Sequence, residues 1–172
     1  MNLRDCYVEE DLFPKIFTDH EEREYGILFF NTDNKDSYDS NHAVIYKDKI
    51  HDLQYVLSDI TEFYKGKGSR PIIYQSMLDD NWFDEIQEEL SSAGFRSWIE
   101  DQEYMLQVDE NRIIPNPDIT RALFYNYVEW CRQNGIDNVY IWPDGETPKR
   151  IYEEGGYRVV RVRKAGRAVI RE

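Results

Sequence analysis

The chain has 172 residues, of which 41% are hydrophobic and 15% aromatic, enough for one compact domain or for two small halves that share a core. Its 34 acidic residues outnumber its 21 lysines and arginines, and the formal net charge is −13 at pH 7. This charge opposes binding to nucleic acid, since affinity for phosphates depends on clustered lysine and arginine, and it favours a small amine or a basic protein as the partner.

The first part of the chain alternates strand patterns with helix patterns. Short runs rich in β-branched and aromatic residues predict strands, and apolar residues three or four positions apart predict helices that bury one face. The predicted strands are GILFF (26–30), AVIYK (43–47), PIIYQ (71–75) and EYMLQV (103–108). One helix carries its apolar face on Leu53, Val56, Leu57, Ile60 and Phe63, and another on Trp82, Ile86 and Leu90.

The second part of the chain continues this alternation. Ile119, Leu123, Tyr127 and Trp130 predict a helix, and NVYIW (138–142), YRVVRV (157–162) and RAVI (167–170) predict strands. The residues KAG (164–166) predict a turn and therefore a terminal hairpin. In that hairpin Val160 and Val162 would face inward and Arg161 and Arg163 outward. The basic face is either a solvated edge or a contact for the acidic DHEERE (19–24) of the same chain or of a second copy, so a homodimer is one candidate assembly.

Two segments of the chain share one plan. Residues 60–75 and 127–142 both read as a helix end, a glycine, a short linker and a strand, with Gly68 and Gly135 placed 67 positions apart. Residues 89–98 and 151–160 both read as a helix end, a glycine and a strand, with Gly94 and Gly156 placed 62 positions apart. Glycine ends a helix readily because it adopts the left-handed conformation at little cost. The sequence therefore predicts two related half-modules, each with the order helix, strand, helix, strand.

These patterns predict an α/β (α+β) fold with a single, mixed sheet. The predicted modules are residues 1–108 and a partial module, 109–172, which corresponds to the second half of the first. Half a module leaves one sheet face and edge uncovered, so we expect the two to pack as one compact unit.

The hydropathy and the cysteines of the chain indicate where the protein is located and whether it holds a disulfide or a metal. No apolar run approaches the ~20 residues that span a bilayer, and the N-terminus lacks the pattern of a secretory signal. We therefore expect a cytoplasmic protein with no membrane partner. Cys6 and Cys131 are expected to be thiols rather than a disulfide, and they form no metal-binding spacing with the three histidines, so we expect no metal.

Several of these segments resemble one family. NVYIWPDGETPKRIYEEGGYRVV (138–160) and, more weakly, NWFDEIQEELSSAGFRSW (81–98) resemble the second half of the GNAT superfamily of N-acetyltransferases. There a strand is followed by a helix that ends in a tyrosine, and a glycine and an aromatic residue enter the last strands. DSYDSNHAVIY (36–46) and FYKGKGSRPIIYQ (63–75) resemble the first half of tandem members. The resemblance implies a GNAT-like fold, with a mixed, mostly antiparallel sheet flanked by helices, and transfer of an acetyl group from acetyl-CoA to an amine.

The resemblance also implies site residues. Tyr152 matches the tyrosine that protonates the departing coenzyme A thiolate, a role suited to a phenol because it stays protonated at pH 7. The alternative is that Tyr152 only packs its ring in the core with its hydroxyl in solvent. The positions that the resemblance assigns to acetyl-CoA binding are Asn116, Thr120, Arg121, Ile141 and Trp142.

The glycine-rich loop that holds the pyrophosphate of acetyl-CoA in this family is not matched. Asp118 and Thr120 stand where PNPDITRALF (115–124) would need glycines, and YKDKIHDLQYVL (46–57) in the first copy contains no glycine. Asp118 is expected to cap its helix, where its carboxylate would take the N–H groups that a pyrophosphate needs and would repel it. Two hypotheses therefore stay open: an N-acetyltransferase, or a non-catalytic binding or regulatory module with the same fold.

Overall fold

The computed structural model describes residues 3–107, 119–135 and 140–170, which form two compact units. The first unit comprises the described parts of Met1–Glu100 and Lys164–Glu172, and the second comprises those of Asp101–Arg163. The boundary predicted between residues 108 and 109 lies outside the described residues. Among the described residues, none of the helices has the length and hydrophobicity that crossing a bilayer requires.

The first unit holds most of the secondary structure. Its elements are α1 (Leu3–Leu12), β1 (Asp19–Arg23), β2 (Gly26–Phe30), β3 (Ala43–Ile45), α2 (Leu53–Lys67), β4 (Ile72–Gln75), α3 (Trp82–Glu85), α4 (Gln87–Ser92) and the start of β5 (Phe95–Gln107). Short 3-10 helices follow α1 at Phe13–Ile16 and β3 at Lys47–Lys49. The end of β5 leads into the second unit, which contains α5 (Ile119–Gln133), β6 (Tyr140–Ile141), α6 (Glu146–Glu154) and the start of β7 (Tyr157–Ile170).

The sheet is mixed and mostly antiparallel, as the sequence predicts. In the first unit the strand order is β1-β2-β3-β4-β7-β5. Strands β3 and β4 are parallel, with Ala43 opposite Ile73, whereas β1 with β2, β2 with β3 and β4 with β7 are antiparallel. A parallel pair needs a crossover between its strands, and α2 supplies it. In the second unit β6 lies antiparallel to β5, with Met105 opposite Ile141.

Helix α2 shows how the local sequence sets the fold of the first unit. Asp52 begins the helix by accepting the backbone N–H of Tyr55 at 3.0 Å, and Gly68 ends it with a φ of 70°. Of the apolar face predicted for this helix, Val56, Leu57 and Ile60 are buried, and Leu53 and Phe63 are partly buried against the same core. The Tyr64 hydroxyl donates to the carbonyl of Phe29 at 2.9 Å and so ties α2 to β2.

In the first unit, residues from both faces of β2 are covered by other elements. Alternation along β2 sends Leu28 towards the cluster built with α2, α3 and α4, and sends Ile27 and Phe29 into a second cluster that includes Leu12 of α1. The helix predicted around Trp82, Ile86 and Leu90 is divided at Ile86, where φ is −114°. Its three apolar residues are nevertheless buried in the first cluster.

The repeat predicted from the sequence is confirmed in the order of its elements. The first copy contains α2, β4, α3 with α4, and β5, and the second contains α5, β6, α6 and β7. The paired glycines also share their conformations. Gly68 and Gly135 have φ values of 70° and 76°, and Gly94 and Gly156 have φ values of 87° and 86°. Each of these glycines ends a helix by turning left-handed, which side chains other than glycine rarely allow.

The predicted terminal hairpin is wrong, because β7 runs unbroken from Tyr157 to Ile170. Gly166 is required by packing rather than by a turn, since a Cβ at that position would lie 2.6 Å from the Cβ of Phe83. The side chains of this strand also face differently from the prediction, which put the valines inward and the arginines outward. Val160 and Val162 are 42% and 50% exposed, whereas Arg163 is 2% exposed.

Candidate functional site

A side chain caps the start of α2, where the family resemblance would place the phosphate loop of the first copy. Asp52 lies directly before α2, in extended conformation, and its Oδ1 accepts the N–H of Tyr55 at 3.0 Å. A carboxylate here takes up a helix N-terminal donor and places negative charge where the helix dipole would favour an anion. In the second copy Asn116 and Asp118 lie outside the described residues, as do the side chains of Thr120 and Arg121 within α5. The residues predicted to hold the pyrophosphate therefore remain a prediction.

Tyr152 lies in the last turns of α6, and its ring is packed against aromatic neighbours of the second unit. Its ring centroid is 4.9 Å from that of Phe124 and 6.4 Å from that of Tyr157. The side chain is half-buried at the edge of the hydrophobic cluster formed with Met105 and Val128. The ring thus packs as the core alternative requires, while the proposed chemistry of the hydroxyl stays a prediction.

Tyr157 follows Gly156 and brings a second hydroxyl to the same cluster. It is 0% exposed, and its hydroxyl has no hydrogen-bond partner in the described structure. Burial raises the pKa of Tyr157 to about 12, so the hydroxyl is protonated at neutral pH. The position equivalent to Tyr157 in the first copy is Phe95, which is also 0% exposed. The second copy therefore buries a hydroxyl at this position. Phe95 shows that the equivalent position of the first copy packs without one.

Ile141 and Trp142 lie at and just after the end of β6. Ile141 is opposite Met105 on β5 and packs on the cluster that contains Tyr152. Trp142 is 38% exposed, and its ring lies 6.1 Å from that of Tyr104. Of the residues predicted to contact acetyl-CoA or the reacting thiolate, the structure thus brings Ile141 and Tyr152 into one cluster.

A cleft of about 360 Å³ lies in the first unit, between α1 and the sheet. Its wall is formed by one aromatic ring and by aliphatic side chains from α1, from β2 and from the segment after β4. These residues are Val8, Leu12, Ile27, Tyr46 and Leu78. Clefts of this size with a mainly apolar wall are typical of small-molecule sites.

Charged groups of both signs surround this wall: Asp11, Lys15, Glu22, Arg23, Asp48 and Lys49. Lys15 and Glu22 form an ion pair of 2.6 Å, and the hydrogen bond from Lys15 lowers the pKa of Glu22. The ammonium of Lys49 lies 4.5 Å from the ring centroid of Tyr46. These contacts place cations and an aromatic face at one opening.

Asp11 is the buried carboxylate of the cleft. It is 4% exposed, and its two oxygens accept the Ser76 hydroxyl at 2.6 Å and the Met77 backbone N–H at 2.9 Å. These bonds join α1 to the segment that follows β4. The carboxylate is therefore held in one orientation by α1 on one side and by the end of β4 on the other.

Gly26 lines the cleft and lies where β2 comes close to β3. A Cβ at this position would lie 2.1 Å from the carbonyl oxygen of Val44. Only a residue without a side chain lets β2 pass β3 at this distance. Sequence reasoning missed the cleft, because its residues come from positions 8 to 78 and form no local motif. The available signal was the pattern of Val8, Asp11 and Leu12, which puts a carboxylate on the apolar face of α1.

The titratable groups of the described residues do not form a metal site, since no group of three or more His, Cys, Asp or Glu side chains is placed to hold an ion there. Cys6 and Cys131 are both buried thiols. The buried histidine, His42, stacks on Tyr74 with ring centroids 4.4 Å apart and donates from Nδ1 to the carbonyl of Tyr38 at 2.9 Å.

The sequence matches no family model and no curated protein. Among solved structures, a functionally unknown conserved protein from Staphylococcus epidermidis ATCC 12228 aligns with it at 11% identity. The alignment covers 99% of this chain and 97% of that protein, with a TM-score of 0.47.

Proposed function

We propose that this chain is a non-catalytic binding module related to the GNAT acetyltransferases. The observation that carries the proposal is the hydrogen bond from the Tyr55 N–H to Asp52 at the start of α2. A pyrophosphate binds a helix N-terminus through its backbone N–H groups and its partial positive charge. A carboxylate at that position opposes acetyl-CoA binding in the first copy on both counts.

The end of the next helix in the first copy also supports this proposal. Leu90 occupies the position that corresponds to Tyr152, and it is 0% exposed in the hydrophobic core. A leucine has no proton to give to a departing thiolate. The first copy thus combines a capped phosphate position with an apolar residue at the position of the acid. The cleft of the first unit, next to α1, offers a site for a ligand. The proposal includes a cytoplasmic location and a small amine or a basic protein as the partner.

A second candidate function, transfer of an acetyl group to an amine by the second copy, is favoured by the placement of Tyr152. This residue lies in the final turn of α6, three residues before Gly155. In this reading Tyr152 protonates the coenzyme A thiolate, and Asn116, Thr120, Arg121, Ile141 and Trp142 contact acetyl-CoA.

Calorimetric titration with acetyl-CoA, together with a thermal shift, separates the two functions. A binding module of the proposed kind gives no heat of binding and no increase in melting temperature at millimolar acetyl-CoA. A dissociation constant below about 100 μM, equivalent to a binding free energy of about −5.5 kcal/mol, would contradict the proposal and favour the transferase.

If acetyl transfer to an amine is detected, Tyr152→Phe decides whether the tyrosine is the acid. Removing the hydroxyl should then lower the turnover number while leaving the affinity for acetyl-CoA nearly unchanged, because the hydroxyl acts on the leaving thiolate. Tyr55→Phe is the matched control, since Tyr55 is 64% exposed on α2 and loses the same hydroxyl. Equal turnover in the two variants would return Tyr152 to a packing role.

A further inference from the structure

The ring of Tyr46 is in contact with a cation from the same chain, the ammonium of Lys49. Tyr46 is half-buried and lines the cleft, whereas Lys49, three residues later, is exposed. The Lys49 ammonium lies 4.5 Å from the centroid of the Tyr46 ring, within the range in which a cation is attracted to the face of an aromatic ring. Because Lys49 is exposed, its ammonium can leave the ring and be hydrated by water at small cost.

Carboxylates lie near the ring of Tyr46, in a cleft that Lys15 and Arg23 also line. Burial, followed by the negative charges of Asp11, Glu22 and Asp79, raises the pKa of the Tyr46 hydroxyl to about 12. Asp79 is held in place, since it accepts the backbone N–H of Lys47 at 2.8 Å. A cation on the ring therefore gains from the ring face and from the charges of Asp11 and Asp79, whereas the charge of Glu22 is balanced by Lys15.

The rest of the cleft wall suits an alkyl chain. Beside Tyr46 it presents the aliphatic side chains of Val8, Leu12, Ile27 and Leu78. The volume of about 360 Å³ is at the lower end of the range for ligand pockets. The cleft thus fits a short amphipathic molecule with an apolar body and one positively charged end.

We propose that the cleft binds a small primary alkylamine, whose ammonium replaces that of Lys49 on the face of Tyr46. Lys49 is then a competitor built into the chain, which occupies the cation position when no ligand is present. This inference builds on the proposed binding function and names the class of ligand. It uses the cleft alone and requires no acetyl-CoA, so a positive acetyl-CoA titration would overturn the proposed function and leave the amine site to its own test.

The test uses n-butylamine, which is protonated at pH 7 and has the chain length and charge of a lysine side chain. Binding is followed by the backbone amide signals of Gly26 and Leu78 in ¹⁵N-labelled protein, since both residues line the cleft. We expect saturable shifts of these signals with n-butylamine. The neutral n-butanol, which has the same chain, should give weaker binding. Equal affinity for the two compounds would show an apolar cleft without a cation site and would overturn the proposal.

Lys49→Met removes the competing charge and keeps an unbranched side chain of similar length. Its matched control is Lys47→Met, which removes the same charge from the same short helix, but from a lysine that pairs with Glu85 at 2.5 Å and lies outside the cleft wall. A cation–π contact at an exposed site corresponds to about a two- to fivefold change in affinity. We therefore expect Lys49→Met to bind n-butylamine about two- to fivefold more tightly than Lys47→Met does.

Two results count against the proposal. The first is equal affinity in the two lysine variants, which would mean that only net charge matters. The second is a set of shifts that spare Gly26 and Leu78, which would place the amine elsewhere. Tyr46→Leu, checked for folding by its melting temperature, provides a further arm: it keeps the wall apolar and should reduce the preference for n-butylamine over n-butanol. An unchanged preference would show that the ring is not the cation site.

Discussion

Replacing Tyr157 with phenylalanine should stabilise the protein, which is the opposite of the usual result for a substitution in a core. The hydroxyl of Tyr157 is fully buried and has no hydrogen-bond partner in the described structure. A buried polar group left without a partner costs about 1–3 kcal/mol relative to its hydrated state. The ring contacts with Phe124 at 5.4 Å and Tyr152 at 6.4 Å do not involve the hydroxyl and are kept.

The net gain is smaller than the full cost, because removing one oxygen leaves a small void. We expect Tyr157→Phe to raise the free energy of unfolding by about 1 kcal/mol, which for a chain of this length corresponds to a rise of about 2–4 °C in melting temperature. Tyr64→Phe is the matched control, because Tyr64 is equally buried but its hydroxyl donates to the carbonyl of Phe29 at 2.9 Å. That variant should lose about 1 kcal/mol.

Urea unfolding of both variants and the parent, followed by far-ultraviolet circular dichroism and by tryptophan fluorescence, measures the difference. Coincidence of the two signals shows whether one transition describes the chain, and an unchanged slope with urea shows that the change is one of stability. A loss of stability in Tyr157→Phe similar to that in Tyr64→Phe would refute the reasoning, since it would mean that the Tyr157 hydroxyl makes a stabilising bond.

Three further predictions concern the first unit. Asp52→Ala should lower the free energy of unfolding by about 0.5–2 kcal/mol in urea titrations because it removes the cap of α2, and Asp52→Gly should cost less. Gly26→Ala should cost about 1–3 kcal/mol or more in the same assay, since its Cβ would lie 2.1 Å from the carbonyl oxygen of Val44. Burial lowers the pKa of His42 from 6.5 to about 4, so the unfolded chain binds the extra proton first and stability is lost as the pH falls from about 6.5 to about 4. The loss amounts to at most about 3 kcal/mol, and His42→Phe should flatten this part of a pH–stability curve.

Much of the first unit follows from local patterns in the sequence. Helix α2 was predictable because its apolar face, its starting Asp52 and its final Gly68 all agree on the same boundaries. Strands β2 and β4 were predictable because they are short apolar runs of β-branched and aromatic residues, which favour strands. The repeat was visible because glycines that need a left-handed conformation cannot be exchanged freely.

Other elements carry no local signal. Strand β1 has the sequence DHEER, which reads as a charged surface segment, and it becomes an edge strand only because β2 offers it a partner. The KAG sequence at residues 164–166 resembles a turn, yet Gly166 serves the close approach of Phe83 within a continuous strand. The cleft belongs to this class as well, since α1 reaches the end of β4 through the Asp11 carboxylate, across 65 residues of sequence. Tertiary contacts decide all three cases, and a window of neighbouring residues does not contain them.

The two copies diverge at two equivalent positions. Where the first copy has Leu90 and Phe95, both fully buried in an apolar core, the second has Tyr152, which is half-buried, and Tyr157, which is fully buried. The Tyr157 hydroxyl is a buried polar atom where the first copy has carbon alone, and Phe95 packs the same position without the cost of burying such an atom. If acetyl transfer is found in this protein, the expected acid, Tyr152, belongs to the second copy, since Leu90 has no proton to give. If it is not found, Phe95 shows how the second copy can be stabilised at the position of Tyr157.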